Sequence, residues 1–548
     1  MTRTLSTGAR GSVTIALAAL AVYAVFPPRA LAQAGGLAAD AELVETRTEV
    51  PKLKAAAEYK PAAGVVEIEL SEYAGYAGLI AANGGLDPGD ESYFARKHGF
   101  KLKLTLSEEE SWSALNSGRI GGSATTADVL AVYGKQFDIV VPAMIGFSRG
   151  ADGIVVRSEI KRINDLKGKV VATCQFTEGD FFIRYLAQEA GLGVNMLPDL
   201  KAKPEAEKVN LVFCADAFGA GDLFLRDVKA GRNRIAGCVT WAPKTTEVAE
   251  ASEGKAKVLV TNRNLLIVAD VLVLTKGFAA ANPKIVTGIV EGLLAGNQMV
   301  RNEPDKHVAV LAKAFKWKPE EVKGELAKVH LANLPENLAF FSGQLDSAGS
   351  YGFIYETAGY VYGTDVIGNP PEADRFLGLA ALKALDQAGT FKGQVAAITP
   401  LRTKVGKAET ALEDEQSLLS KGITFSFAAN SSKFMTGEKE KKENQDGLKA
   451  IVQLLKVSPG SRVLLRGHAD GSRIEEYRKT GGEAKAREVK LVLKNLSKAR
   501  CAELKQILTD EQKVDASRIE SQGVGADEPT GKGPDADRRV EVQWFTLE

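Results

Sequence analysis

An α/β fold followed by a smaller α+β unit is what this sequence predicts, on three observations. Short apolar runs alternate with helical stretches from residue 65 onward, the pattern of βαβ units around a mainly parallel sheet. The pattern changes near residue 395, where a charged stretch leads into a second set of strands and helices. The 548 residues are 45% hydrophobic and 25% charged, room for about three domains of ordinary globular composition.

The first residues carry an address. Arg3 and Arg10 precede an almost purely apolar run from Val13 to Phe26, and Ala30-Leu31-Ala32 offers small residues for a cleavage site. That is the layout of an export signal over residues 1–32, too short to span a bilayer. Its removal takes three arginines and no acids, moving the net charge from +1 to −2. The predicted location is a periplasm. Balanced charge argues against a nucleic-acid partner. The four cysteines form no CxxC pair, and His98, His307, His330 and His468 are scattered without HExxH, so no metal site and no cofactor is predicted. Cys214 and Cys238 are the one pair placed for a disulfide; two buried free thiols are the alternative.

Residues 33–63, rich in Ala, Glu and Lys, read as a poorly fixed leader. Val66, Ile68 and Leu70 then alternate with Glu67 and Glu69 as a half-buried strand, and Leu102, Leu104 and Leu106 repeat the pattern. Further strands are predicted at 138–141, 153–156, 169–173, 209–213 and 257–261, with helices at 127–133 and 181–190 and a helical region from Pro283 to about Ala332. Lys404–Lys421 reads as a charged helical connector. A strand follows from Ile423, then a helix ending before Pro459, a strand at 462–466, a helix at 497–508 and a last strand carrying Val540, Val542 and Trp544.

Open α/β sheets bind ligands where strands lead into helix N-termini. Three such loops mix hydroxyls with aromatics: Ser71–Tyr76, Ser123–Thr126 and Thr173–Asp180. Taken singly, their threonines serve as well for helix caps.

Residues 64–360 resemble a periplasmic substrate-binding protein of an ABC importer, in the group serving nitrate, sulfonates, taurine and thiamine precursors. The resemblance lies in Gly75-Tyr-Ala-Gly-Leu-Ile-Ala-Ala82, Leu115–Thr126, Ser148-Arg-Gly-Ala-Asp-Gly-Ile-Val-Val-Arg157, Asp165-Leu-Lys-Gly-Lys169 and Gly237-Cys-Val-Thr-Trp-Ala-Pro243. It implies a two-lobed clamshell over 64–395, the second lobe at about 165–265, closing on a small solute by a hinge. On that basis the ligand contacts are Tyr73, Tyr76, Trp112, Thr125, Thr126, Ser148 and Arg149 in one lobe, and Gln175, Thr177, Asp216 and Trp241 in the other. Arg149 suits an anion bidentately or a salt bridge elsewhere. Asp216 next to an anion is unfavourable, so the ligand carries an amine or Asp216 faces elsewhere. An importer's membrane subunit is the implied partner.

The end of the chain resembles an OmpA-like domain over residues 423–548, joined by a helical linker at 396–422. The resemblance rests on Arg466-Gly-His-Ala-Asp-Gly471, Leu496-Ser-Lys-Ala-Arg500, Arg518–Gly525 and Asp537-Arg-Arg-Val-Glu-Val542. It implies noncovalent binding to peptidoglycan, Asp470 taking the ammonium and Arg500 the carboxylate of diaminopimelate. Three departures stand out: Ala469 replaces the family's Thr, Leu493 replaces its Asn, and a charged insert near 473–490 lengthens the stretch between Asp470 and Arg500 as a helix or a mobile loop. The expected function is a wall-tethered solute receptor. The alternative is a structural or signalling envelope protein with the clamshell as sensor. No nucleophile–base pair points to an enzyme.

Overall fold

The structure, a computed structural model, describes residues 44–107, 111–343, 349–396, 416–428 and 430–546. The export signal and residues 397–415 of the linker lie outside them. Strands β1 (Val65–Leu70), β2 (Lys101–Leu106), β3 (Gly122–Thr126) and β4 (Ile139–Ser148) come first. The chain then crosses into β5 (Asp152–Arg157), β6 (Val170–Cys174), β7 (Gly193–Met196), β8 (Lys208–Cys214), β9 (Gly237–Trp241) and β10 (Ala256–Thr261). It returns in β11 (Ala269–Thr275) and β12 (Val329–Leu331). The result is two six-stranded sheets, ordered β12-β4-β11-β3-β1-β2 and β10-β5-β9-β6-β8-β7. Two crossovers join them, Ser148 to Asp152 and Thr261 to Ala269. The fold is α/β with two lobes.

The sheets are mixed rather than mainly parallel. β1 runs parallel to β2 and β3, but β11 is antiparallel to β3 and β4. In the second sheet β5 is antiparallel to β9 and β10. Strands adjoining the crossovers enter their sheets from the opposite end, which forces the reversal. Residues 123–126 form the central strand β3, not a loop, because β1 and β11 pair with it from both sides. The predicted helical region after Pro283 divides into helices Pro283–Asn302, Pro304–Phe315 and Pro319–Leu326, each opened by a proline, and then β12.

Close backbone packing fixes the loop after β1. The helix Ala77–Asn83 that follows it lies against Pro283–Asn302. At Gly296 a Cβ would collide with the main-chain carbonyl of Gly78, so only glycine admits this approach. Phe94, Ile289 and Leu293 are fully buried nearby.

The leader is not loose where it is described. Glu45 N–H donates to the Phe213 carbonyl (2.7 Å) and the Thr46 hydroxyl to the Leu197 carbonyl (2.6 Å). Farther on, Leu53 N–H donates to Gln136 Oε1 (3.0 Å) and Asn116 Nδ2 to the Lys54 carbonyl (2.8 Å). The segment straps one lobe to the other. Its partners are main-chain carbonyls and Gln and Asn side chains, polar contacts that leave no apolar period in the strap itself.

The last sheet comprises β13 (Leu419–Ile423), β14 (Arg462–His468), β15 (Ile519–Gly525) and β16 (Val540–Phe545), ordered β13-β16-β14-β15. β13 begins four residues before the predicted strand and takes the end of the predicted helical connector, because its backbone pairs with β16. Val463, Leu465, Val542 and Trp544 share a buried cluster with Ile451, Leu454, Leu504 and Leu508. The insert is helical: within Ile474–Asp510 two helices meet at a kink at Gly482, whose φ of 69° only glycine adopts readily. This unit is docked on the second lobe. Asn164 exchanges hydrogen bonds with the main chain of Ser420 (2.8 and 2.7 Å), and Ile163 N–H donates to the Leu418 carbonyl. Leu266, on the returning crossover, donates to the Val457 carbonyl at 3.2 Å. Cys214 and Cys238 are buried free thiols, and burial pushes Cys214 up to about 12.

Candidate functional site

A cavity of about 70 Å³ lies between the two lobes. From the first lobe it is lined by the β1 end and the loop after it (Glu69 to Tyr76), Ser107, Trp112, residues 123–126 of β3, Ser148, Val268 and Asp270. From the second come Asp152, Glu178 and Trp241. Four aromatic rings therefore border it. Tyr73 and Tyr76 meet edge to face at 5.3 Å; Trp112 rests its edge on Phe137, and Trp241 packs on Phe218 at 5.6 Å.

The cavity is acidic. Tyr76 donates its hydroxyl to Asp270 Oδ1 at 3.1 Å, and Asn262 Nδ2 donates to Asp152 Oδ2 at 2.9 Å. Burial, aided by the nearby charge of Asp152, holds the Asp270 carboxyl well above the usual range. Burial raises Asp152 to about 6 against hydrogen bonds from Ser148 and Asn262, and raises Asp128, just behind the site, to about 7. Polar atoms in the lining are buried without a hydrogen-bond partner, Thr125 Oγ1, Trp241 Nε1 and Asp270 Oδ2 among them.

The structure brings seven of the expected contacts to this cavity: Tyr73, Tyr76, Trp112, Thr125, Thr126, Ser148 and Trp241. Four others have different work. Arg149 does not line the cavity; its Nε donates to the Arg263 carbonyl at 2.8 Å, because Arg149 follows the last residue of β4 and turns onto the crossover. Gln175 holds the strap, accepting from Arg47 N–H at 2.8 Å and donating to its carbonyl at 2.9 Å. Thr177 opens the helix Glu178–Glu189 and donates its hydroxyl to the Cys174 carbonyl. Asp216 faces elsewhere: it caps the helix Ala217–Lys229 by accepting from Gly219 N–H at 2.6 Å. The sequence reading missed Asp152, Glu178 and Asp270. Asp270 had a signal, a lone acid inside the apolar run 265–274.

In the C-terminal unit a second crevice is lined by Phe427, His468, Arg500, Asp535, Arg538 and Arg539, among others. Arg500 Nε donates to the Ser431 carbonyl at 3.0 Å, and its guanidinium lies 4.9 Å over the Phe427 ring. Asp470 stands beside the crevice, accepting from Ser472 N–H and from Arg538 at 2.8 Å each. Burial raises its carboxyl, but these hydrogen bonds outweigh that and leave it below the usual range. Arg538 thus already pairs with one of the two expected diaminopimelate contacts. His468, Glu528 and Glu541 bring ligand-type atoms within 4.8 Å of one another, but Arg466 already pairs with both glutamates.

No family model matches this chain, and no curated protein does. Solved structures are similar over the N-terminal part. The aliphatic sulphonate binding protein SsuA of Escherichia coli is 15% identical, over 58% of this chain and 92% of that one, with a TM-score of 0.43. The alkanesulfonate-binding protein SsuA of Xanthomonas axonopodis pv. citri, bound to MOPS, is 15% identical over 59% and 100%, with a TM-score of 0.41. The desulfurization enzyme DSZB is 14% identical over 59% and 99%, with a TM-score of 0.39.

Proposed function

We propose that this chain is an exported receptor that closes two lobes over a small solute and is held to peptidoglycan by its C-terminal unit. The carrying observation is the cavity lined from both lobes, with buried donors and acceptors that have no protein partner. Each such group costs about 1–3 kcal/mol when left unpaired, a cost a bound solute recovers. The two crossovers supply the hinge, and the sequence resemblance supplies the partner class, the membrane subunit of an ABC importer. For the wall, Arg500 and Arg538 offer guanidinium donors beside Asp470, matching a zwitterionic amino-acid end.

Trp112 and Trp241 border the cavity, so a solute library screened by tryptophan emission reports binding directly. A saturable change with at least one solute is expected; a flat response across the library contradicts the receptor. For the tether, the chain is expected to co-sediment with purified peptidoglycan. The Asp470→Ala and Arg500→Ala variants are expected to stay in the supernatant, and their retention in the pellet removes the tether.

One observation favours a sensor over a feeder. The C-terminal unit touches both the second lobe, at Asn164, and the returning crossover, at Leu266, so closure of the lobes moves groups bonded to the anchor. A solute that binds tightly but is not taken up by cells is the outcome expected of a sensor.

A further inference from the structure

The chemistry of the cleft selects the charge of its ligand. The ion-bearing residues lining it are all acids: Glu69 and Asp270 from the first lobe, Asp152 and Glu178 from the second. No lysine or arginine is among the lining residues described. Arg149, the one cation expected there, is turned onto the Arg263 carbonyl. An oxyanion entering this space would meet these acids at close range with no cationic side chain among the lining residues.

Two further features point to a ligand. Asp270 and Thr125 are nine-tenths buried or more, and Asp270 Oδ2 and Thr125 Oγ1 have no partner. Across the β3–β11 pairing Asp270 stands directly opposite Thr126, and Thr125, opposite Val271, is the next residue along the strand on the other face. Burial without a donor disfavours the ionised form of Asp270, and an N–H donor from a ligand is what that form lacks. The second feature is the group of aromatic rings from Tyr73, Tyr76, Trp112 and Trp241, whose electron-rich faces favour a cation over a neutral group.

We infer that the cleft takes a small organic cation carrying N–H donors, an ammonium or amidinium, with Asp270 as its principal counter-ion and the aromatic rings around it. The inference rests on the receptor function proposed above and names its ligand class. A quaternary ammonium satisfies the rings but leaves Asp270 Oδ2 without a hydrogen bond, so N–H cations are preferred.

The test is calorimetric titration of the full chain, dialysed exhaustively, near pH 8, where the acids ionise more fully. The probes are butylamine, benzamidine, tetramethylammonium, butanamide, propanesulfonate and nitrate. Butylamine or benzamidine is expected to bind saturably, at least about tenfold tighter than the neutral and anionic probes. Asp270→Asn, which keeps the acceptor for Tyr76, is expected to weaken that binding by about thirtyfold or more. Thr125→Val is expected to weaken it less, with circular dichroism reporting both variants as folded. Tight propanesulfonate or nitrate binding without amine binding overturns the inference and leaves the receptor standing. Amine binding undiminished in Asp270→Asn overturns the assignment of the site. Silence from every probe also overturns the cation class, and the tryptophan library screen then judges the receptor separately.

Discussion

Asp270, Asp152 and Asp128 are buried acids whose carboxyls stand above an unfolded value of about 3.9. The sign of the consequence follows from proton counting. Between about pH 4 and the folded values, about 6 for Asp152 and about 7 for Asp128, the native state holds more protons than the unfolded one. Stability from this source therefore falls as pH rises from 5 to 8. A melting temperature several degrees lower at pH 8 than at pH 5 is expected, on the order of a few kcal/mol. In Asp270→Asn the loss is expected to shrink, and differential scanning calorimetry of the two chains across that range checks it. An unchanged slope would mean that Asp270 is already ionised in the native state across that range. The hydroxyl and aromatic half of the site was legible in sequence because Tyr73, Tyr76 and Thr126 follow or end recognisable strands. The acidic half was not. Asp270 and Asp128 sit in apolar stretches that read as core, and nothing in linear order places Asp152 opposite Tyr73.

At the scale of elements, the strap and the docked β13 are the features that local pattern left hidden. Both are held by main-chain hydrogen bonds from side chains far away in sequence, Gln175 to Arg47 and Asn164 to Ser420. Gln175→Ala removes two such bonds that link the strap to the second lobe. A loss of about 1–3 kcal/mol is expected, with faster protease cleavage near residues 44–58. Cleavage at the wild-type rate would show that the strap is not held there. The helix pair behind the site gives a sharper case. Gly296→Leu forces a side chain into the Gly78 carbonyl, and the expected result is a loss of several kcal/mol or failure to fold, read by urea unfolding. The alternating strands were legible because β1 and β16 have one face buried and one wetter, a period of two that sequence records. The strand β11 was not, since all its residues are buried and no alternation survives.

The whole molecule joins two sheets by two crossovers and carries a third sheet against the second lobe. Its division near residue 395 was legible as a change of pattern, whereas the docking of the last unit was not, because the Asn164–Ser420 pairing spans 256 positions. Each part bears on one claim, that the space between the lobes is built for a small cation. Solutes that fit such a space are commonly retained through purification when closure is tight. Mass spectrometry of the small molecules released on denaturing the natively purified full chain tests this most directly. The account predicts a compound carrying a protonatable or permanently charged nitrogen with N–H bonds, near one per chain. A sulfonate, nitrate or other oxyanion without such a nitrogen, recovered at that stoichiometry, would contradict it.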